Sequence, residues 1–344
     1  MSGHSIEHTK HRLPNLPAVQ AKLKSVLESG LTNFLHSTHS RRLEVVGNRR
    51  FTILSFFFAI AVIVALFFIR NSYGALVTNV LVGCAMVWLL LVLLTGRRWV
   101  TNDRLLAKEM SMALVPVLTN VFDRLMIYSH DSDNSNAARA LLADSELMTI
   151  DDVKVVSDDV YTVFGNKEVS FSELLVTKKL EVADNTPEKE VELFRGVLVV
   201  AGLGRAYRGE TYVSTEGDRS GFAHRTFWSD VLENSDVKET VLEWNDFEKD
   251  LHVASSDPVE TREILNPEFM KDLYEWWLDH KLNVRISFKD DKMYLLLPES
   301  SIQMSESTTS TKLSSIERYA WSLARPMWRS LVLVDDVSKR PDMV

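Results

Sequence analysis

Two uncharged apolar runs, five residues apart, limit this chain more than any other feature. Phe51–Ile69 is nineteen residues without a charge, fourteen of them Phe, Ile, Leu or Val. Ala75–Thr95 adds twelve Leu and Val, with Cys84, Met86 and Trp88 among them. A helix rises ~1.5 Å per residue, so each run matches a hydrocarbon core about 30 Å thick. At about −0.3 to −0.6 kcal/mol per apolar side chain, insertion of the first run is favourable by roughly 6 kcal/mol. Arg70-Asn71-Ser72-Tyr73-Gly74 is too short to hold a domain. The runs therefore read as a transmembrane helical hairpin over 51–96, with helices at 51–69 and 75–95. The first begins after fifty residues and has no small-residue cleavage site, which argues against a signal peptide.

Charge sets the orientation. Arg41, Arg42, Arg49 and Arg50 precede the hairpin, Arg97, Arg98 and Arg104 follow it, and Arg70 alone lies in the turn. An excess of Lys and Arg marks the cytoplasmic side, so both termini are expected there and the chain is expected to be two-pass. Small residues at Ala61 and Ala65, and at Ala75, Asn79 and Gly83, suggest close helix packing. A transport path would need polar lumen residues, and only Thr78 and Asn79 offer themselves. The hairpin reads as an anchor in the lipid bilayer.

The flanks differ in charge. Residues 1–50 form a basic amphipathic head, in which Val19, Leu23, Val26, Leu27, Leu31 and Phe34 share one helical face. The first hundred residues carry a net +8 and the whole chain −8, leaving −16 on residues 101–344. An acidic body of that size repels phosphates, so nucleic acid is not an expected partner. One cysteine, Cys84, excludes a disulfide framework and a cysteine-rich metal site. His4, His8 and His11 have helical spacing and are the weak candidates for a metal, although no metal or cofactor is expected.

Beyond the membrane, residues 101–145 read as a helical connector, 146–300 as a cytosolic domain and 301–344 as a linker with a C-terminal helix. A helix over 103–128 should kink or restart at Pro116, and 129–136 should be a loop. A short helix follows around 137–143. Hairpin patterns then appear at 160–164 with 169–182, around a Gly165-Asn166 turn, and at 284–288 with 293–297 around Asp290-Asp291. Further strands are expected at 191–201, 211–214, 237–244 and 251–254. Antiparallel strands with helices beside them make the class α+β.

Asp257-Pro258-Val259-Glu260-Thr261-Arg262 invites two readings. Asp257, Glu260 and Arg262 could line a ligand-sensing or enzymatic pocket. Equally, Asp257 suits an N-cap, Pro258 the first helical position and Glu260 a capping-box partner, with Asn266-Pro267 repeating the pattern for a helix to Lys281. Caps account for nearly every polar residue here. In the tail, Arg318, Trp321, Arg325 and Trp328 form a stripe suited to a membrane interface, against an apolar stripe of Ile316, Ala320, Leu323, Met327 and Leu331 suited to docking. Pro326 should interrupt that helix. The basic-aromatic loop 215–235 could grip an anion or a lipid headgroup. Gly202-x-Gly204 lacks a third glycine at Tyr207, so no dinucleotide fingerprint is present.

Phe194-x-Gly196, Asp246-Phe247-Glu248-Lys249 and Asp257-Pro258-x-Glu260-x-Arg262 running into Leu265-x-Pro267 resemble the bacterial domain-of-unknown-function family 3137, over roughly residues 105–300. The sequence departs from that pattern at Leu251, Thr261 and Glu263, where the family has an aromatic, an alanine and a tyrosine. The resemblance implies a fold and a place, the bacterial inner membrane, and no activity. With no catalytic constellation, the chain is expected to be an interaction or scaffold protein that binds a protein partner or forms a homo-oligomer.

Overall fold

The computed structural model describes residues 13–30, 32–69, 75–131, 133–157, 159–165, 167–180, 189–215, 231–232, 236–280, 283–298 and 313–338. Its helices are α1 (Leu16–Gly30), α2 (Thr32–Ile69), α3 (Ala75–Phe122), α4 (Asn134–Ser145), α5 (Asn245–Asp250), α6 (Pro258–Ile264), α7 (Pro267–His280) and α8 (Leu313–Ser338). Its strands are β1 (Leu125–His130), β2 (Val153–Val156), β3 (Asp159–Phe164), β4 (Glu168–Leu180), β5 (Lys189–Gly202), β6 (Thr211–Thr215), β7 (Lys238–Glu239), β8 (Leu251–Ser255), β9 (Arg285–Lys289) and β10 (Lys292–Pro298). The fold is α+β. The chain divides into two compact units, Leu23–Val117 with Gln303–Trp321, and Met1–Lys22 with Leu118–Ile302 and Ser322–Val344.

In the helical unit the apolar runs are parts of much longer helices, and two helices are long and apolar enough to cross a membrane. Their polar parts pair side by side. Arg41 Nη1 donates to both oxygens of Glu109, at 2.9 and 3.0 Å, and the Arg49 guanidinium lies 5.9 Å from the Trp99 ring centre. Phe51 and Phe58 pack on Trp88, while Val45, Leu106, Met110 and Leu114 are buried. Gly83 does not make the close approach its spacing suggests, since a Cβ there would meet nothing within 4 Å. At Gly96 a Cβ would make an ordinary van der Waals contact with the Thr52 methyl at 3.5 Å. Tyr319 of α8 shares a buried hydrogen bond of 3.2 Å with Ser111.

In the other unit, the described strands form one antiparallel sheet in the order β1-β3-β4-β5-β10-β9-β6-β8-β7, with β2 also paired to β4. Side chains alternate between its faces. Tyr294, Leu296, Leu198, Val200, Tyr212 and Ala254 form a core with Ala138 and Leu142 of α4. The opposite face buries Ile286, Phe288, Met293 and Leu295, and Phe288 packs against Phe269 of α7 with ring centres 6.1 Å apart. Trp276 of α7 donates its indole N–H to the Arg329 carbonyl of α8 at 3.1 Å.

Several expectations need correction. The 103–128 helix is the end of α3, which continues through Pro116 to Phe122, where Asp123 adopts a left-handed conformation (φ 54°). The chain then turns into β1, so the expected 129–136 loop begins as strand and ends as α4. The expected 237–244 strand shrinks to β7, because Trp244 already caps α5. Helix α8 runs through Pro326 unbroken. Burial of Met327, Leu331 and Val334 outweighs the lost backbone bond, a cost of about 3 kcal/mol. Leu31, Asn166 and the 215–235 loop residues Arg219, Phe222, His224, Arg225, Phe227 and Trp228 lie outside the described residues, as do the side chains of Phe34, Thr78 and Asn79.

Glycine is required where β5 pairs with the end of β10, with Gly196 opposite Pro298. A Cβ on Gly196 would lie 2.1 Å from the Leu297 carbonyl oxygen and 2.7 Å from the Phe194 ring. Gly196→Ala should therefore cost roughly 3 kcal/mol. That loss lowers the melting temperature by about 6–12 °C in a domain of this size. Circular dichroism of the full chain in detergent measures it.

Candidate functional site

The segment with the most polar side chains surrounds the start of α6. Asp257 Oδ1 accepts from the amides of Val259 (3.0 Å) and Glu260 (3.1 Å), as an N-cap should. Glu260 does not complete the expected capping box. The Asp257 amide is already bound to Ser255 Oγ at 3.0 Å, so the Glu260 carboxylate reaches the other way, to the amides of Arg208 (2.9 Å) and Gly209 (2.8 Å). Gly209 is pressed against this helix start, since a Cβ there would sit 2.7 Å from Asp257 Cβ and 2.9 Å from Ser256 Oγ. The Glu210 amide then donates to Ser256 Oγ at 2.8 Å, and the Ser256 amide to the Glu210 carbonyl at 3.0 Å. The β5–β6 loop is thus stapled by side chains whose spacing is visible in the sequence. Arg262, the third candidate, points outward and is exposed.

The departures from the family pattern are also accounted for. Thr261 is buried, donates to the Asp257 carbonyl at 2.9 Å, and shares hydrogen bonds with the Ser255 hydroxyl and, at 2.8 Å, the Thr211 hydroxyl. Glu263 pairs with Arg205 at 2.8 Å, and Leu251 is fully buried.

A second cluster was not foreseen. Arg285, Ser287 and Lys289 alternate along β9 and read as its solvated face, yet all three hold the C-terminal end of α4. Arg285, 1% exposed, donates to the Leu147 carbonyl at 3.0 Å, and Ser287 to the Ser145 carbonyl at 2.8 Å. Lys289 pairs with Glu146, the left-handed C-cap of α4, and with Glu210 at 2.8 Å. The Tyr212 hydroxyl lies 2.6 Å from a Glu146 carboxylate oxygen, to which it donates, and 3.0 Å from one of Glu210. A helix leaves its last four carbonyls unpaired, and a cation at that end also meets the negative pole of the helix dipole.

The electrostatics of this cluster favour cohesion. Burial opposes ionisation of Glu146, but the bonds from Lys289 and Tyr212 and the Lys289 charge win, holding its carboxyl below the usual range. Burial likewise opposes the charge on Lys289, and its bonds to Glu146 and Glu210 lift it to about 12. Burial, then the neighbouring carboxylates, drives the Tyr212 phenol far above its ordinary value. All three stay fixed in one protonation state near neutral pH, whereas a proton-transfer group works best with a value near the working pH.

A third cluster ties β1 to β3. Asp159 Oδ1 accepts from the Tyr128 hydroxyl at 2.5 Å and lies 2.7 Å from His130 Nδ1. In the tail, Arg318 and Arg325 are exposed and Trp321 is half-buried. Trp328, also half-buried, donates its indole N–H to the Pro14 carbonyl at 2.8 Å. The apolar stripe of this helix, Ile316, Ala320, Leu323, Met327 and Leu331, is buried within the protein. His4, His8 and His11 lie outside the described residues.

An antiparallel α+β domain, its polar motifs bound into its own loops and accompanied by two long apolar helices, is the class this geometry defines. Residues 192–327 match the family model described as "Protein of unknown function (DUF3137)". The match starts within β5 and ends within α8, so β1–β4 and α4 lie outside it, unlike the roughly 105–300 expected from the motifs. No curated protein matches the chain. Among solved structures, the mycobacterial trehalose monomycolate transport factor A, TtfA, is similar over 61% of this chain and 93% of its own, at 6% identity and a TM-score of 0.30.

The two candidate carboxylates should separate on mutation. Asp257→Ala should cost about 1 kcal/mol, a lost cap. Glu260→Ala should cost about 2–3 kcal/mol because it orphans two loop amides that bind a charged acceptor. Arg262→Ala should stay within about 0.5 kcal/mol. Denaturant unfolding of the three variants ranks them.

The Lys289 cluster should shape the pH profile. Stability from Glu146 is complete above the ordinary 4.5 and disappears as pH falls through its lower folded value. Stability from Lys289 is complete below 10.5 and disappears as pH rises through about 12. Melting temperature measured across both ranges should fall at each end in the wild type, and Lys289→Met should flatten both limbs.

Proposed function

We propose that the protein is a membrane-anchored interaction protein. In this reading α2 and α3 cross the bacterial inner membrane as a pair, both termini lie in the cytoplasm, and the sheet domain meets a protein partner or further copies of the chain. The observation that carries the anchor is the exposure of the apolar helices. Only 17% and 6% of their most apolar windows are buried in the protein, and Leu54, Phe57, Phe58, Met86 and Val87 are each more than half exposed. A contiguous apolar surface of that kind is tolerated by lipid and not by water. Support for interaction over catalysis comes from the carboxylates a pocket would use. Glu260 is 8% exposed and bound to two amides, Asp257 is a cap, and Lys289 and Tyr212 are held in unreactive protonation states.

The test uses the full chain in bacterial membranes. The protein should stay in the pellet after alkaline carbonate washing, and a reporter fused after Val344 should be active on the cytoplasmic side. Release by carbonate, or a periplasmic reporter, overturns the anchor or its orientation. Cross-linking in those membranes should yield discrete protein adducts. A small molecule that co-purifies and raises the melting temperature would favour the pocket instead.

A further inference from the structure

We propose that β1 is a self-association edge, through which two copies of the chain join antiparallel and continue the sheet across a twofold axis. This names the partner in the interaction reading above and rests on it. Among the described residues β1 ends the sheet and is hydrogen-bonded to β3 alone, so its outer row of backbone groups has no strand beside it. Exposed strand edges invite pairing, and proteins usually blunt them with short length or charge. The opposite edge is blunted in that way, because β7 is two exposed residues, Lys238 and Glu239, of opposite charge. The β1 edge is not. Leu125 is 61% exposed and Ile127 52%, and Phe164, paired with Leu125 in the register, is 37% exposed on the same face. Leu125–His130 holds no acid, lysine or arginine.

Charge points to this edge as the place where a second copy can approach, and the pairing it allows is self-complementary. Residues 101–344 carry −16, so two copies of this acidic part repel across most of its surface and approach best where formal charge is absent. A twofold pairing must also be self-complementary, residue against residue. Opposed residues lie on the same face of a continuous sheet, which restricts the allowed registers to alternate ones. With Met126 opposite Met126 of the second copy, Leu125 meets Ile127 twice on the face that also carries Phe164. Sliding one allowed step towards the C-terminus sets Asp123 against Asp131, and one step towards the N-terminus sets Ile127 against Asp123. The register centred on Met126 is the one that joins apolar to apolar without opposing acids. Six residues of strand and three apolar side chains make a small interface, and confinement of both copies to one membrane raises their effective concentration.

The experiment takes the full chain in detergent and in membranes. Light scattering on the wild type should show a dimer that dissociates on dilution. Ile127→Lys should weaken it by about tenfold or more, with the melting temperature unchanged because the side chain is exposed. Leu125→Glu and Ile127→Lys chains, each monomeric alone, should form a mixed dimer, since these positions face each other in the proposed register. A wild type that is monomeric at every concentration, an Ile127→Lys dimer of undiminished affinity, or failure of the charge pair to associate overturns the proposal. Carbonate washing of the same membranes keeps the two readings apart. A monomer that resists carbonate fails this inference and leaves the anchor standing, and a dimer stripped by carbonate does the reverse.

Discussion

A buried backbone amide must find an acceptor, and leaving one unpaired costs about 1–3 kcal/mol. The β5–β6 loop runs against the start of α6 and brings the amides of Arg208 and Gly209 out of water together. Glu260 answers both with one carboxylate oxygen. That choice propagates. Because Glu260 turns to the loop, the Asp257 amide needs another acceptor and takes Ser255 Oγ. Because the loop lies so close, position 209 must be glycine. Glu210 then lies where its carboxylate meets Lys289. A motif that looks like a reactive cluster is the solution to a hydrogen-bond accounting problem.

Much of this was legible in the residues and some was not, for reasons that are physical. The apolar runs were plain because long stretches without a charge are read from composition alone, and they lie in the two helices long and apolar enough to cross a membrane. The β3–β4 and β9–β10 hairpins showed through alternation and turn residues, and the caps at Asp257 and Asn266 through local chemistry that needs no tertiary partner. Strand β1 was hidden because it follows α3 after two residues, and Leu125-Met126-Ile127 extends the helical pattern as readily as it starts a strand. Pro326 misled in the same way, while the helix that was to kink or restart at Pro116 does not restart there. A local rule predicted breaks, and packing of the rest of each helix overrode it. At the site, Asp257 was placed correctly, while the direction of Glu260 depended on a loop fifty residues away in sequence.

The polar side of β9 makes the same point from the opposite direction. Alternation identifies which residues share a face and says nothing about what covers that face. Arg285, Ser287 and Lys289 alternate with apolar residues, and they receive the end of α4. A helix terminus is the one apposed surface for which donors and a positive charge are the right complement.

That complement also bears on chemistry. Catalytic groups are moved towards the working pH, where both protonation states are accessible, and the forces that move them are burial and neighbouring charge. The same forces act around Lys289 and push outward instead: the ammonium and the phenols of Tyr212 and Tyr294 upward, the carboxylate of Glu146 downward. Opposite charges in contact each stabilise the other's ionised form, so a satisfied pair widens the gap between its two values. A cluster that is fully paired is therefore suited to holding a helix and ill suited to exchanging protons. To become reactive it would have to lose a partner, and each partner here is fixed by its own element of the fold. Among the described residues two surfaces are of another kind: the exposed apolar side chains on the long helices, and the outer side of β1, which pairs with β3 alone. In the functional reading proposed above, lipid meets the first and a strand of a second copy meets the second.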